Sequence, residues 1–279
     1  NGGANALAAD TAEGDRGAKL SLLGVFFGIG ALGVPFLLGL LVHVLSYDRI
    51  LFWIGIFVLL PTFFYLIIDF PPPKHPQGFP IKEATRLLKD PWIILFGLVL
   101  FIQSGMEGLA NNWSTTFLQE HKEFLSQHAL FSLTCLVSGM TGMRLILGWA
   151  LHRVKSGPVL IWSIGLSMTG SLLILFTDTP FATYAGMVFL GAGFAANFPV
   201  VMGYVAGKYV QLSGTALSIV LVLALLGNMI SNYGMGLIAN TRGPGALPSV
   251  IAGGLSIQLV LILMVLRKSR GENKDINSN

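Results

Sequence analysis

The chain has 279 residues, of which 53% are hydrophobic and only 11% charged, and its mean hydropathy is +0.73. A soluble domain averages about 25% charged residues, so this composition argues against a soluble globular enzyme and against a disordered chain. The formal net charge is +4, with a pI near 9.3, and the single cysteine, Cys135, leaves no intramolecular disulfide and no Cys-based metal cluster.

The chain opens on Asn1-Gly2-Gly3-Ala4-Asn5, with no initiator Met, basic n-region or cleavage site, so the start does not read as a signal peptide. It reads as the tail of a helix that began earlier, and the chain as a fragment or a processed segment. Membrane spans need about 20 mostly apolar residues. Eight stretches qualify: 21–44, 50–68, 92–118, 128–150, 158–176, 181–206, 214–239 and 248–266. Turn-forming clusters such as Pro71-Pro72-Pro73, Gly157-Pro158 and Gly243-Pro244-Gly245 separate them. An outer-membrane barrel would alternate over segments of about 10 residues, and no such alternation is present.

Lys and Arg fix the orientation. With sides alternating through eight spans, 13 of the 17 basic residues share one side, 3 (Arg49, Lys122, Arg242) lie on the other, and Arg144 lies inside a span. The basic side is cytoplasmic. The high pI is therefore a topology signal, and no basic patch with interleaved aromatics points to nucleic acid. The longest connection, 69–91, is cytoplasmic, and its end places Ile81, Ala84 and Leu88 on one face of a short surface helix.

A shift of 197 residues superposes Gly17 on Gly214, Leu20 on Leu217, Ser21 on Ser218, Gly30 on Gly227, Gly39 on Gly236 and Leu40 on Leu237. Parallel repeats of this kind occur in secondary transporters. The alternative is chance similarity between Gly-rich apolar helices.

Glu107 is the one acidic residue deep in a span. An ionisable group there is expensive, about 3 kcal/mol on insertion scales, which makes Glu107 a candidate proton carrier. Gln103, Glu107 and Asn111 recur at i, i+4 and i+8 on one helical face, with Asn112 and Trp113 just beyond. This stripe is expected to face a wet cavity; the alternative for Glu107 is interhelical glue. Arg144 is the second intramembrane charge. Helix geometry puts Glu107 about 24 Å and Arg144 about 10 Å from the cytoplasmic end, a gap of about 14 Å that disfavours a direct pair. Arg144 is read as a gating or structural residue that snorkels or binds carbonyls. Asn197 before Pro199, and Asn228 with Asn232 at i, i+4, are candidates for a hydroxyl-rich solute or for helix–helix hydrogen bonds. Trp113 or Trp162 offers a face for a sugar, Trp162 being better read as a packing or interface residue. Gly28-x-Gly30-x-x-Gly33 matches a dinucleotide fingerprint, but it lies mid-membrane after no strand and reads as helix packing. No metal-ligand spacing, phosphate loop or nucleophile elbow is found, so no catalytic, metal or cofactor site is expected.

The run Asn1 to Asp10, Arg16-Gly17-Ala18-Lys19-Leu20-Ser21 and Phe26-Phe27-Gly28-Ile29-Gly30-Ala31-Leu32 resembles the fourth-to-fifth helix region of the major facilitator superfamily. Gly105-Met106-Glu107 with Trp113, Gly142-Met143-Arg144 with Gly148, and Asn197-Phe198-Pro199 are similar to the sugar–proton symporter, fucose permease-like branch. The resemblance implies an all-α polytopic membrane protein carrying helices five to twelve of a twelve-helix, two-bundle transporter fold. Helices one to three and most of four would then be absent partners. The division it implies is a remnant of the first bundle over 1–69, a cytoplasmic linker over 70–90, a six-helix bundle over 91–267 and a cytoplasmic tail over 268–279. It also implies that Asp10 meets an arginine of an absent loop; Asp10 and Arg16 join Arg144 as gating or structural residues.

The sequence is thus read as a multi-pass protein of the inner (plasma) membrane. It moves a small polar solute, with a sugar as leading candidate and protons as coupling ion, by alternating access. The candidate substrate contacts are Gln103, Glu107, Asn111, Asn112, Trp113, Asn197, Asn228 and Asn232. Efflux of amphipathic compounds and a non-transporting polytopic sensor are the alternatives; an enzyme would need a second deep acid, base or metal ligand. For the orientation, single cysteines at Gln77 and Asn277 in a Cys135→Ser background are expected to resist a membrane-impermeant thiol reagent in intact cells and to react after lysis. Labelling of both without lysis would invert the topology.

Overall fold

The computed structural model describes residues 7–8, 19–30, 45–69, 85–151 and 153–277, and the description below is of these. They are helical nearly throughout. The main helices are α1 (Lys19–Gly30), α2 (Tyr47–Ile67), α3 (Pro91–Glu120), α4 (Ser126–Ala150), α5 (Ser156–Phe176), α6 (Pro180–Lys208), α7 (Ser213–Arg242) and α8 (Leu247–Asn277). Seven of them are long and apolar enough to cross a membrane. The eighth, α1, begins the 21–44 span, whose remaining residues lie outside those described, as do Asp10 and Arg16.

Local signals set the ends. Asp90 caps α3, its Oδ1 accepting from the Trp92 N–H at 2.8 Å, and Pro91 occupies the first helical position, where no N–H is needed. Gly243 closes α7 at φ 76°, in the left-handed region that glycine tolerates. Of the surface helix expected before α3, only its end lies among the described residues. A single turn at 85–87 leads into the Asp90 cap, and it buries Leu87 while leaving Leu88 exposed. At the far end α8 continues to Asn277, so helix extends through most of 268–279.

Helices α3 to α8 form one bundle. α3 pairs along much of its length with α7, and α6 packs between α4 and α5, while α8 crosses both α3 and α5. Lipid tails are as apolar as leucine, so hydrophobic burial cannot drive these pairings, and close backbone approach takes its place. A Cβ on Gly227 of α7 would overlap the Phe101 carbonyl of α3. One on Gly191 of α6 would overlap the Leu136 carbonyl of α4. Facing glycines Gly170 and Gly186 bring α5 against α6 in the same way. The outer faces carry exposed Leu, Ile, Phe and Trp, Trp162 among them, as a bilayer-facing belt. α2 is apolar and exposed almost all round.

The two ends of the bundle differ in charge. At one end the Trp92 ring of α3 lies under Lys208 of α6 and Lys268 of α8, at 4.4 and 4.7 Å. At the other, Lys122 caps the C-terminus of α5. It donates to the Ile174 carbonyl at 2.6 Å and to the Thr177 carbonyl, and pairs with Asp178 at 3.3 Å. The close approaches generate a test. Gly227→Val is expected to destabilise the detergent-solubilised protein by about 1–3 kcal/mol, read as earlier thermal loss of the monodisperse peak. Gly234→Val, on the same helix with open space around it, should leave that temperature unchanged; equal losses would contradict this packing.

Candidate functional site

On α3, Ser104, Glu107, Gly108, Asn111 and Asn112 recur at i, i+3, i+4, i+7 and i+8, the spacing of a single helical face. They form one wall of a cavity of about 470 Å³. α1 faces them with Leu20, Leu23, Gly24, Phe26 and Phe27; Arg144 of α4, Phe198, Pro199 and Met202 of α6, and Asn228 of α7 complete the lining. The site thus places one carboxylate, one guanidinium and three carboxamides against aromatic and aliphatic surface. That is the pattern of a ligand pocket: mostly apolar, with a few convergent polar groups.

The polar groups are held from behind. Gln103 is fully buried on the inner edge of the stripe; its Nε2 donates to the Phe194 carbonyl at 3.2 Å and to Glu107 Oε2 at 3.4 Å. Gln258 of α8, also fully buried, donates to Gln103 Oε1 at 2.8 Å. One amide thereby ties α3 to α6 and α8 while steadying the carboxylate. Along α7, Asn228 Nδ2 donates to the Ser104 carbonyl at 3.0 Å, and Asn232 bonds Asn228 at 2.9 and 3.1 Å. Asn112 Nδ2 reaches Asn232 Oδ1 at 3.1 Å, closing the α3–α7 seam. Gly108 makes this possible, since a side chain there would strike the Asn228 amide. Asn111 donates to the Glu107 carbonyl at 2.8 Å, a bond within its own helix.

Arg144 is nearly buried and spans α4 and α1. Its Nη1 donates to the Gly24 carbonyl at 3.3 Å, Ser21 Oγ donates to the Arg144 carbonyl at 3.0 Å, and its Nε is buried without a partner. Gly24 leaves the room that the guanidinium occupies, and Gly28 does the same for Thr141 one turn on. Of the dinucleotide-like glycine run, Gly28 packs against Thr141, Gly30 has open space around it, and Gly33 lies outside the described residues. No ion pair joins Arg144 to Glu107 among the described residues, yet both line the cavity and each acts on the other through its charge.

The structure therefore brings Glu107, Asn111, Asn112, Asn228 and Arg144 to one cavity, with Gln103 and Asn232 as supports behind it. Two candidates lie off the lining. Trp113 packs toward Gly236 of α7. Asn197 is fully buried with Oδ1 unpartnered, its amide directed to the Gly193 carbonyl at 3.5 Å. Its neighbours Phe198 and Pro199 take the cavity side instead, because adjacent helical residues point about 100° apart. The sequence reading missed Ser104, Gln258 and the aromatic wall of Phe26 and Phe27. Ser104 was recoverable from the i, i+3 spacing to Glu107, and Gln258 as the lone amide in its span; the side to which Phe26 and Phe27 turn is set only by packing.

Comparison with known proteins fits this architecture. The family model described as Major Facilitator Superfamily matches residues 1–232, and the chain belongs to that family. Over 153 residues it is 27% identical to the uncharacterized transporter y4wD of Sinorhizobium fredii (strain NBRC 101917 / NGR234), covering 55% of this chain and 41% of that protein. The fold is similar to a crystal structure of the E. coli fucose:proton symporter FucP, with TM-score 0.76 at 15% identity over 94% of this chain and 72% of that one. A second FucP structure, in the outward conformation, gives 0.74 at 16% identity with the same coverage. These likenesses establish the fold: an all-α, multi-pass membrane protein of the transporter type.

The buried amide bridge is open to a double-mutant cycle. Gln103→Leu leaves the Gln258 amide without its acceptor and is expected to cost about 1–3 kcal/mol of stability. Adding Gln258→Leu should return part of that loss, with a coupling of about 0.6–1.7 kcal/mol. Strict additivity in thermal unfolding would show that the bridge contributes nothing.

Proposed function

We propose that this protein is a secondary active transporter of a small polar solute, with a sugar as the favoured substrate and a proton as the coupling ion. The observation that carries this reading is Glu107. Among the described residues it is the only acidic one on the cavity wall; it lies deep in α3 and shares that wall with Asn111, Asn112 and Asn228. Carboxamides both donate and accept, so they suit hydroxyl groups without demanding a counter-charge. Family membership supports transport by alternating access, and the fold is shared with a protein described as a fucose:proton symporter. In this reading, solute enters between Phe26 and Phe27 of α1 and the α3–α7 wall. Glu107 binds a proton on the side of high proton concentration and releases it when the helices rock and the cavity opens to the other side. Arg144 stabilises the deprotonated carboxylate by its charge and, through the Gly24 carbonyl, links that state to the position of α1. The Lys and Arg distribution supports an inner-membrane orientation with the Trp92 end in the cytoplasm.

The test is Glu107→Gln, which keeps the size and much of the hydrogen bonding but cannot ionise. In proteoliposomes with an imposed proton gradient, the variant is expected to lose solute accumulation while solute exchange persists. A purely structural Glu107 predicts the opposite pattern: Ala lowers folded yield and Gln accumulates normally. Normal gradient-driven accumulation by the Gln variant would remove the coupling role.

A further inference from the structure

A second concave surface lies away from the solute cavity, at the end of the bundle where the basic residues gather. α3 and α8 leave between them a groove of about 530 Å³, walled by Ile94, Leu95 and Leu98 of α3 and Met264 of α8, with Arg267 and Lys268 at its rim. Ile94, Leu98 and Met264 stay exposed on that wall. Leu98 is seven residues into α3, about 10 Å along the helix, so the groove descends from headgroup depth into the acyl region. Arg267 and Lys268 stand where the α8 span, Pro244–Ser269, ends.

Charge converges on the same place. The Trp92 indole at the head of α3 receives the ammonium groups of both Lys208 and Lys268, at 4.4 and 4.7 Å, with Arg267 adjacent to Lys268 in sequence. Tryptophan at such a position marks the membrane–water interface. The neighbouring acid, Asp90, is engaged in capping α3 through the Trp92 N–H at 2.8 Å. An apolar slot inside the bilayer with two cations at its mouth is complementary to one class of molecule that a membrane always supplies. Basic pockets between transmembrane helices on the cytoplasmic side recognise anionic headgroups in this manner.

We propose that the α3–α8 groove binds an anionic phospholipid of the leaflet at the Trp92 end. An acyl chain lies along Ile94, Leu98 and Met264, and the phosphate meets Arg267 and Lys268. The lipid would bridge the first and last helices of the α3–α8 bundle, and its binding is independent of which solute the protein carries. The purified, delipidated protein is titrated with dioleoylphosphatidylglycerol or with dioleoylphosphatidylcholine, and bound lipid is counted by native mass spectrometry. Phosphatidylglycerol is expected to be retained in preference to phosphatidylcholine. Arg267→Gln with Lys268→Gln should weaken phosphatidylglycerol about thirtyfold, from the attraction of two basic residues near an anionic headgroup. Arg153→Gln with Lys155→Gln removes two exposed charges from the same end, where Arg153 stacks on Trp149 at 4.6 Å, and should change nothing. Leu98→Trp fills the groove without altering charge and should also lower retention. Equal binding of the two lipids, equal effects of the two charge pairs, or displacement of the lipid by free glycerol phosphate would each overturn the proposal.

Discussion

A carboxylate deep inside a bilayer cannot be left alone, and the architecture around Glu107 follows from that constraint. Hydrocarbon offers it neither water nor a hydrogen bond, so the side chain must face a wet space or a built partner. The α3 face that carries Glu107 opens on a cavity, and Gln103 stands one turn away to donate to the carboxylate. Gln103 holds its own position through Phe194 of α6 and Gln258 of α8, so three helices contribute to the placement of one oxygen. Arg144 provides the opposing charge from a fourth helix without forming an ion pair. A closed buried pair is strongly attractive in low dielectric and would resist a change of protonation state.

The cavity exists because the helices behind it approach so closely. Glycines at Gly105, Gly108 and Gly227 let α3 and α7 meet at a distance that any Cβ would prevent, and the Asn228–Asn232–Asn112 chain runs along that seam. The same device recurs where α6 meets α4 and α5. α1 touches the bundle through Arg144, Ser21 and Thr141 and buries Leu20 and Val25, while Phe26 and Phe27 remain exposed.

Much of this was legible in the sequence. Hydropathy gave the spans, because only a helix satisfies its own backbone in lipid, and its length is set by bilayer thickness. The polar stripe on α3 was legible because polar residues in an apolar helix are few and periodic. What remained hidden was direction. Asn197 looked like a cavity residue, but a shift of one position hands that place to Phe198. Trp113, a candidate face for a sugar, lies against Gly236. Arg144 lies some 14 Å from Glu107 in helical depth, and only the fold shows that both reach the same space. Sequence periodicity tells which residues share a face; it does not tell which neighbour that face meets.

The account rests on the α3 face of Glu107 being wet while the faces beside it are not. Single cysteines along α3, in a Cys135→Ser background, reacted with a small water-soluble methanethiosulfonate, measure this directly. Reaction is predicted at Ser104, Asn111 and Asn112, with a helical period, and none at Ile94, Leu98, Val99 or Leu109. Uniform protection at Ser104, Asn111 and Asn112, or labelling without helical periodicity, would contradict it.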